Sequence, residues 1–407
     1  MKLNNIKKVI PLYFSQALSA ALPLILSPAI IKHSGIEFFG LYSGMIVISQ
    51  LALMVSEYSF EFLAPRKVGD SSNINTKIYN DVIVAKLLMS LVGLIFSFIL
   101  IKLMLEVQPT LFDMISIFVV MLAQSINAPW FMLALGRVKE LAILISLARI
   151  LTLSLSLVYL IADENADYKV LFFLYSFPLL ATSFYFHRDK LKKVTQTSIS
   201  DSFSLIKEGK VVFFANIASV GQNFIAPVFI GVIGTSTDLG VYNAIDRLAR
   251  FLSASLKPIL QYTYPRSIAM FRQSFKIGHR NVLKLTCLFV SVSVFFFLSS
   301  VFFGKPVLNI IYNSELSSYN NLLNILILWL SVGLYNNAIG IQGLLALGRD
   351  KIYSCSIWFA LFTTTLLIIL LNNSYDVIYL AGISILVGEM VSSLWLTLNY
   401  LKILRSN

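Results

Sequence analysis

The chain carries one apolar run after another, each about as long as a lipid bilayer is thick, and that removes most folds at once. About 20 consecutive apolar residues cross the hydrocarbon core as a helix. No water reaches backbone N–H and C=O groups there, so only helices and closed barrels can span it. A barrel would show short stretches of alternating polarity. The runs here lie near 9–31, 39–60, 82–101, 112–135, 141–162, 170–187, 211–233, 240–264, 285–303, 322–347, 352–371 and 376–399. The expected fold class is all-α integral membrane, with about twelve transmembrane helices. At 57% hydrophobic and 13% charged residues, with mean hydropathy +0.80, the composition excludes an ordinary soluble domain. Lys2, Lys7 and Lys8 precede the first run in the manner of a signal peptide. That run, Val9 to Ile31, is too long for a signal's apolar region and reads as a retained span.

Charge fixes the orientation. With the N-terminus inside, the cytoplasmic segments collect 23 of the 32 lysines and arginines. The outside loops hold Lys32, Lys102, Lys169 and Lys305, and the spans hold Lys86, Arg149, Arg247, Arg250 and Lys257. Both ends are expected in the cytoplasm. The net charge of +12 therefore reads as cytoplasmic loops plus a few buried cations, and nucleic acid is not the expected partner.

The two halves repeat. Phe39-Gly40-Leu41-Tyr42 matches Leu239-Gly240-Val241-Tyr242, and Pro65-Arg66 matches Pro265-Arg266. Leu133-Ala134-Leu135-Gly136-Arg137 returns as Leu345-Ala346-Leu347-Gly348-Arg349, and Asn127-Ala128 as Asn337-Ala338. Residues 1–187 are read as an N-terminal six-helix half, 188–210 as a basic cytoplasmic linker and 211–407 as a C-terminal six-helix half. Six spans is an even number, so the halves share one orientation, a transporter plan with the site expected between them. Pro11, Pro23, Pro28 and Pro227 can kink their helices toward a V-shaped cavity, or be ordinary membrane prolines.

One span should not be polar. In Gly240–Tyr264, Asp246, Arg250, Ser253, Lys257 and Gln261 fall on one stripe, and Arg247 adds a further cation. A charge near the bilayer centre costs roughly 2.5–3.5 kcal/mol on insertion scales. Either Asp246 neutralises Arg250 one turn on and the pair holds the bundle, or the stripe lines a wet cationic cavity. Arg149 sits mid-span on a stripe with Ser146, Thr152 and Ser156, and Asn216, Ser219 and Asn223 share a face. Such amides join helices or bind sugar hydroxyls. By the repeat, Glu57 aligns with Lys257, so Glu57 and Asp246 are candidates for coupling or gating. Lys86, near the start of its apolar run, is expected to snorkel. Glu61 is expected at the solvated surface, and Glu389 reads as a structural hydrogen-bonding group or a proton site. Arg149, Arg247, Arg250 and Lys257 outnumber Asp246 and Glu57, which favours a phosphate or carboxylate ligand over a cationic one. Cys287, Cys355 and the three histidines form no metal motif, no cofactor is expected, and no phosphate-binding loop or nucleophile elbow marks an enzyme.

Length, span count, the six-plus-six repeat, Phe39-Gly40-Leu41-Tyr42, Ser56-Glu57-Tyr58-Ser59-Phe60 and the two Leu-Ala-Leu-Gly-Arg segments together resemble the Wzx-type polysaccharide flippases of the MOP superfamily. That superfamily also contains the MATE exporters and the lipid II flippases. The resemblance implies a MATE-like bundle in a bacterial inner membrane. It implies translocation of an undecaprenyl-diphosphate-linked oligosaccharide, such as an O-antigen repeat unit, from the cytoplasmic to the periplasmic leaflet. It further implies a cationic lumen, for which Arg149, Arg247, Arg250, Lys257, Asn216 and Asn223 are the candidates. The expected partners are the lipid-linked oligosaccharide, membrane lipid, a polymerase and a chain-length regulator. A MATE-type ion-coupled exporter and a membrane glycosyl polymerase or ligase are the rival readings. The charge balance opposes the first and the short outside loops the second.

Overall fold

The computed structural model describes the chain apart from residues 1–2, 59, 62, 65–75, 135, 192–198, 313, 373 and 407. The described residues fold as helices, in the order α1 Leu3–Glu57, α2 Thr76–Met104, α3 Leu111–Asn127, α4 Pro129–Ala134, α5 Val138–Ala162, α6 Tyr168–Leu191, α7 Ile199–Ile233, α8 Ser236–Gln273, α9 Phe275–Ile311, α10 Ser314–Ser317, α11 Asn320–Asn336, a π-helical segment Asn337–Leu345, α12 Asp350–Leu371 and α13 Val377–Ser406. This is a multi-pass membrane protein: among the described residues ten helical stretches, α3 counted with α4 and α11 with the π-helical segment, are long and apolar enough to cross a bilayer.

Twelve spans are expected from the sequence, and the difference has two places. The 55-residue α1 is interrupted at Gly35, whose φ of 87° is not helical. It thus covers both of the first two apolar runs, 9–31 and 39–60. The 38-residue α8 carries Asp246, Arg247, Arg250 and Lys257, which keep it from qualifying by composition.

Contacts divide the chain into two compact units, Met1–Val220 and Gly221–Asn407. Residues 199–210, part of the stretch read as linker, are the helical beginning of α7. Lys77 pairs with Asp201 at 2.8 Å, and the Ser202 hydroxyl donates to the Asp81 carbonyl. Leu205 completes a core with Tyr58, Phe60, Tyr79, Trp130 and Phe131 in the first unit. In the second, Val282, Ile339, Leu344, Leu396 and Tyr400 pack together. Phe295, Phe302, Phe303 and Phe362 are exposed on long helices, as lipid-facing side chains are.

The repeat extends to backbone geometry. Gly136 and Gly348 take φ of 70° and 72°. After each, an arginine amide reaches back five residues, Arg137 N to Met132 O and Arg349 N to Leu344 O, both at 2.9 Å. That 6→1 bond over a left-handed glycine is a Schellman-type helix stop. A Cβ at either glycine would meet nothing within 4 Å, so backbone φ, not space, calls for glycine there. Tyr42 and Tyr242 are both fully buried at their matched positions. Asn127 ends α3 before Ala128 at φ 34°, and its counterpart Asn337 opens the π-helical segment, so each half interrupts the same span.

Candidate functional site

Helix α8 starts with a capping box in which Thr235 and Asp238 satisfy each other's backbone amides. Two turns on, Tyr242, Asp246 and Arg250 stack at four-residue spacing. Tyr312 ties the helix down by donating its hydroxyl to the Ala244 carbonyl at 2.8 Å. Arg250 Nε donates to Asp246 Oδ2 at 2.6 Å. Its Nη1 donates to Asn223 Oδ1 at 3.3 Å and its Nη2 to the Asn223 carbonyl at 3.1 Å. The guanidinium lies 5.0 Å from the centre of the Trp329 ring. Three of its five N–H groups are thereby used, leaving the others able to meet an anion. The Arg250 side chain is 37% exposed and that of Asp246 10%. Asp246 Oδ1 and the Tyr242 hydroxyl are buried without a hydrogen-bond partner.

The pairing reading of Asp246 and Arg250 is therefore realised in the geometry, and Asn223 joins it as the third member. Arg247, next to the pair, is half-buried. Lys257 lies on α8, but its side chain is outside the described residues.

The first unit holds Arg149, Glu57 and Asn216. Arg149, half-buried on α5, lies 5.8 Å from the Tyr175 ring of α6. On the same stripe Thr152 donates to the Tyr175 carbonyl at 3.5 Å, and Ser156 is buried with its hydroxyl unpartnered. Asn216 is half-buried on α7. Glu57 is ion-paired with Lys86 at 3.9 Å. Lys86 does not snorkel; its side chain is 3% exposed. Helix α2 begins at Thr76, well before its apolar run, so Lys86 lies nearly three turns in. The Ser56 and Ser90 hydroxyls meet beside it at 2.9 Å. Beyond the end of α1, burial and then the nearby Glu57 carboxylate push the Glu61 carboxyl above its ordinary pKa, with Lys86 pulling the other way. Glu61 itself is exposed, as expected of a carboxylate at the solvated surface.

Sequence reasoning missed the aromatic partners Tyr175 and Trp329. Nothing in local spacing links them to their arginines, since each ring stands on a different helix. Among the described residues, no group of three or more His, Cys, Asp or Glu could hold a metal.

A family described as "Polysaccharide biosynthesis protein" matches residues 6–271. A "Putative O-antigen transporter" of Escherichia coli (strain K12) is 25% identical over 273 residues, 65% of this chain and 65% of that protein's length. Among solved structures, the lipid II flippase MurJ in an inward closed conformation superposes with a TM-score of 0.68 at 14% identity, over 97% of this chain and 87% of that one. An inward-facing multidrug resistance MATE family transporter of the MOP superfamily gives a TM-score of 0.57 at 15% identity, over 97% and 96%. At these identities the two structures establish a shared fold.

Proposed function

Because the chain belongs to the polysaccharide biosynthesis protein family, we propose that it is a flippase for an undecaprenyl-diphosphate-linked oligosaccharide, such as an O-antigen repeat unit. The cargo would move from the cytoplasmic to the periplasmic leaflet of a bacterial inner membrane, with both ends of the chain cytoplasmic. The name of the Escherichia coli relative supports the cargo class, and the fold shared with MurJ and MATE transporters supports transport over catalysis.

One observation carries the reading within the chain: cations stand on membrane helices that also bear amides. The Arg250 guanidinium keeps unused N–H groups and partial exposure beside Asn223. Arg149, Arg247 and Lys257 add charge, and Asn216 adds an amide. Arginine forks match diphosphate oxygens two at a time, and amides suit sugar hydroxyls. The polyprenyl tail would remain in hydrocarbon while the polar head crosses by alternating access. The cargo drives such a change only through different affinity for the two states. Asp246 and Glu57 are the coupling candidates. Each neutralises a cation in its own unit, Arg250 and Lys86, so protonating either carboxylate would release that cation. Assembly with a polymerase and a chain-length regulator belongs to the same proposal.

The test is complementation of a strain lacking its O-antigen flippase, scored by surface polysaccharide, with membrane levels checked by immunoblot. The unaltered chain should restore polysaccharide, and Arg149→Gln, Arg247→Gln and Lys257→Gln should not. Full function in all three variants would reject the cationic path. No rescue in any of several sugar backgrounds, at normal expression, would reject the cargo.

A further inference from the structure

Helix α9 is longer than the membrane it crosses. The stretch 285–304, between Lys284 and Lys305, rises about 30 Å as a helix, the thickness of the hydrocarbon core. The residues before it, from Phe275 to Lys284, therefore stand at headgroup level and beyond. One exposed stripe runs along the helix at helical spacing: Lys276, Arg280, Lys284, Leu288, Phe295 and Phe302. It is apolar where the helix lies in hydrocarbon and cationic where the helix leaves it. Ile277 and Leu283, also exposed, flank the cations.

The opposite face of α9 is held in place. Val282 packs with Leu396 and Tyr400 of α13, and His279 Nδ1 lies 3.0 Å from the Tyr400 hydroxyl. The three cations thus stand away from the bundle, on the lipid side. None of them takes part in an ion pair with a described residue.

A membrane span needs no such row at its start. By the 200-position displacement that relates Pro65-Arg66 to Pro265-Arg266, the twin helix α2 has Thr76, Asn80 and Val84 at these places. Its one cation ahead of Lys86, Lys77, is neutralised by Asp201 at 2.8 Å. The row belongs to α9 and not to the repeat.

Arg280 and Lys284 are one turn apart, about 6 Å, so both can reach a single phosphate. The arginine fork takes two of its oxygens. A water-soluble acidic partner would leave Leu283 and Leu288 uncovered. A ligand with a phosphate at one end and an acyl chain at the other covers both parts of the stripe. A zwitterionic headgroup brings its own ammonium, which the three cations repel, so the stripe selects net negative charge. We propose that the start of α9 is a binding site for an anionic phospholipid of the leaflet it meets. Arg280 and Lys284 hold the phosphate, Lys276 adds attraction from the water side, and an acyl chain lies along Leu288 and Phe295. The site stands whether or not the cargo is a lipid-linked sugar.

Native mass spectrometry of the purified full-length protein in a mild detergent tests it, with phosphatidylglycerol or phosphatidylethanolamine of the same acyl chains added. Phosphatidylglycerol should bind about tenfold more tightly or better, since each cation at a charged surface contributes about fivefold. The triple variant Lys276→Gln/Arg280→Gln/Lys284→Gln should lose that preference. A second triple, Lys139→Gln/Lys207→Gln/Lys210→Gln, removes the same charge from exposed lysines of the first unit and should keep it. Equal binding of the two lipids to the unaltered protein overturns the proposal. So does an equal loss in both triples, which would reduce the stripe to general surface charge. Binding of undecaprenyl phosphate to the stripe without binding of phosphatidylglycerol overturns it in favour of an entry port for cargo. Should the α9 triple aggregate, Arg280→Gln alone decides: a loss of about fivefold is expected, and an unchanged preference overturns the site.

Discussion

Asp246→Asn is the sharpest single perturbation of α8. It keeps an oxygen for Arg250 Nε and removes only the negative charge. Breaking a fully buried ion pair by deleting one partner costs roughly 3–5 kcal/mol, because the other charge is stranded. An exposed pair is worth at most about 1 kcal/mol. With Asp246 10% and Arg250 37% exposed, the cost falls between, at about 1–3 kcal/mol. For a cooperative unit of this size that is a fall in Tm of about 2–12 °C. Arg250→Gln alone should also destabilise, since it gives up the two bonds to Asn223 and the contact with Trp329. The informative variant is the double one. With no charge left to strand, it should fall short of the summed losses by about 1–2 kcal/mol, well beyond the few tenths expected of independent sites. Thermal unfolding of the four proteins in one detergent, followed by loss of the monodisperse chromatographic peak, gives the cycle. Additive losses would refute the argument that Asp246 serves as the counter-charge to Arg250.

Four further outcomes are expected. Gly136→Ala and Gly348→Ala should each cost about 1–2 kcal/mol from left-handed strain alone, and each asparagine variant less; a tolerated alanine at either site would contradict the shared helix stop. Lys86→Met should change stability by less than about 1 kcal/mol, because Glu57 is 37% exposed and can stay solvated; a Tm drop as large as that for Asp246→Asn would mean the pair is structural. Tyr175→Leu should cost about 0.5–1 kcal/mol where Tyr175→Phe costs little, measured by Tm, if the ring face holds Arg149. Gln342→Leu should lose about 2–4 kcal/mol, since Gln342 is wholly buried, accepts from Ser267 at 2.9 Å and donates to the Leu260 carbonyl at 3.1 Å; a stable variant would show that those partners find water.

The sequence made some of this legible and hid the rest for identifiable reasons. The Asp246–Arg250 pair could be read because four residues are one helical turn, a local relation. Its third member, Asn223, lies 27 residues away on another helix, and Trp329 further still, so neither shows in spacing. The duplication was visible through Leu-Ala-Leu-Gly-Arg because a left-handed helix stop demands glycine wherever it recurs. The apolar run understates the depth of Lys86, because α2 starts with Thr76 and buries Tyr79, Asn80 and Asp81 before that run begins. Glu389 reads as isolated in the sequence because its hydrogen-bond partner, Asn336, stands on α11, 53 residues away.

From Asn127 to Leu133 the first half takes six steps along the chain; from Asn337 to Leu345 the second takes eight. The two surplus residues have not lengthened a loop, since both stretches run into the same glycine stop. They fall within the wider winding of the π-helical segment, where Ala346 N reaches back five residues to Ile341 O. A π-helix is what an insertion becomes when the ends of a helix are held fixed. The second half therefore carries a length change stored as girth, and shortening the segment by two residues is the edit that would return it to the plan of its twin.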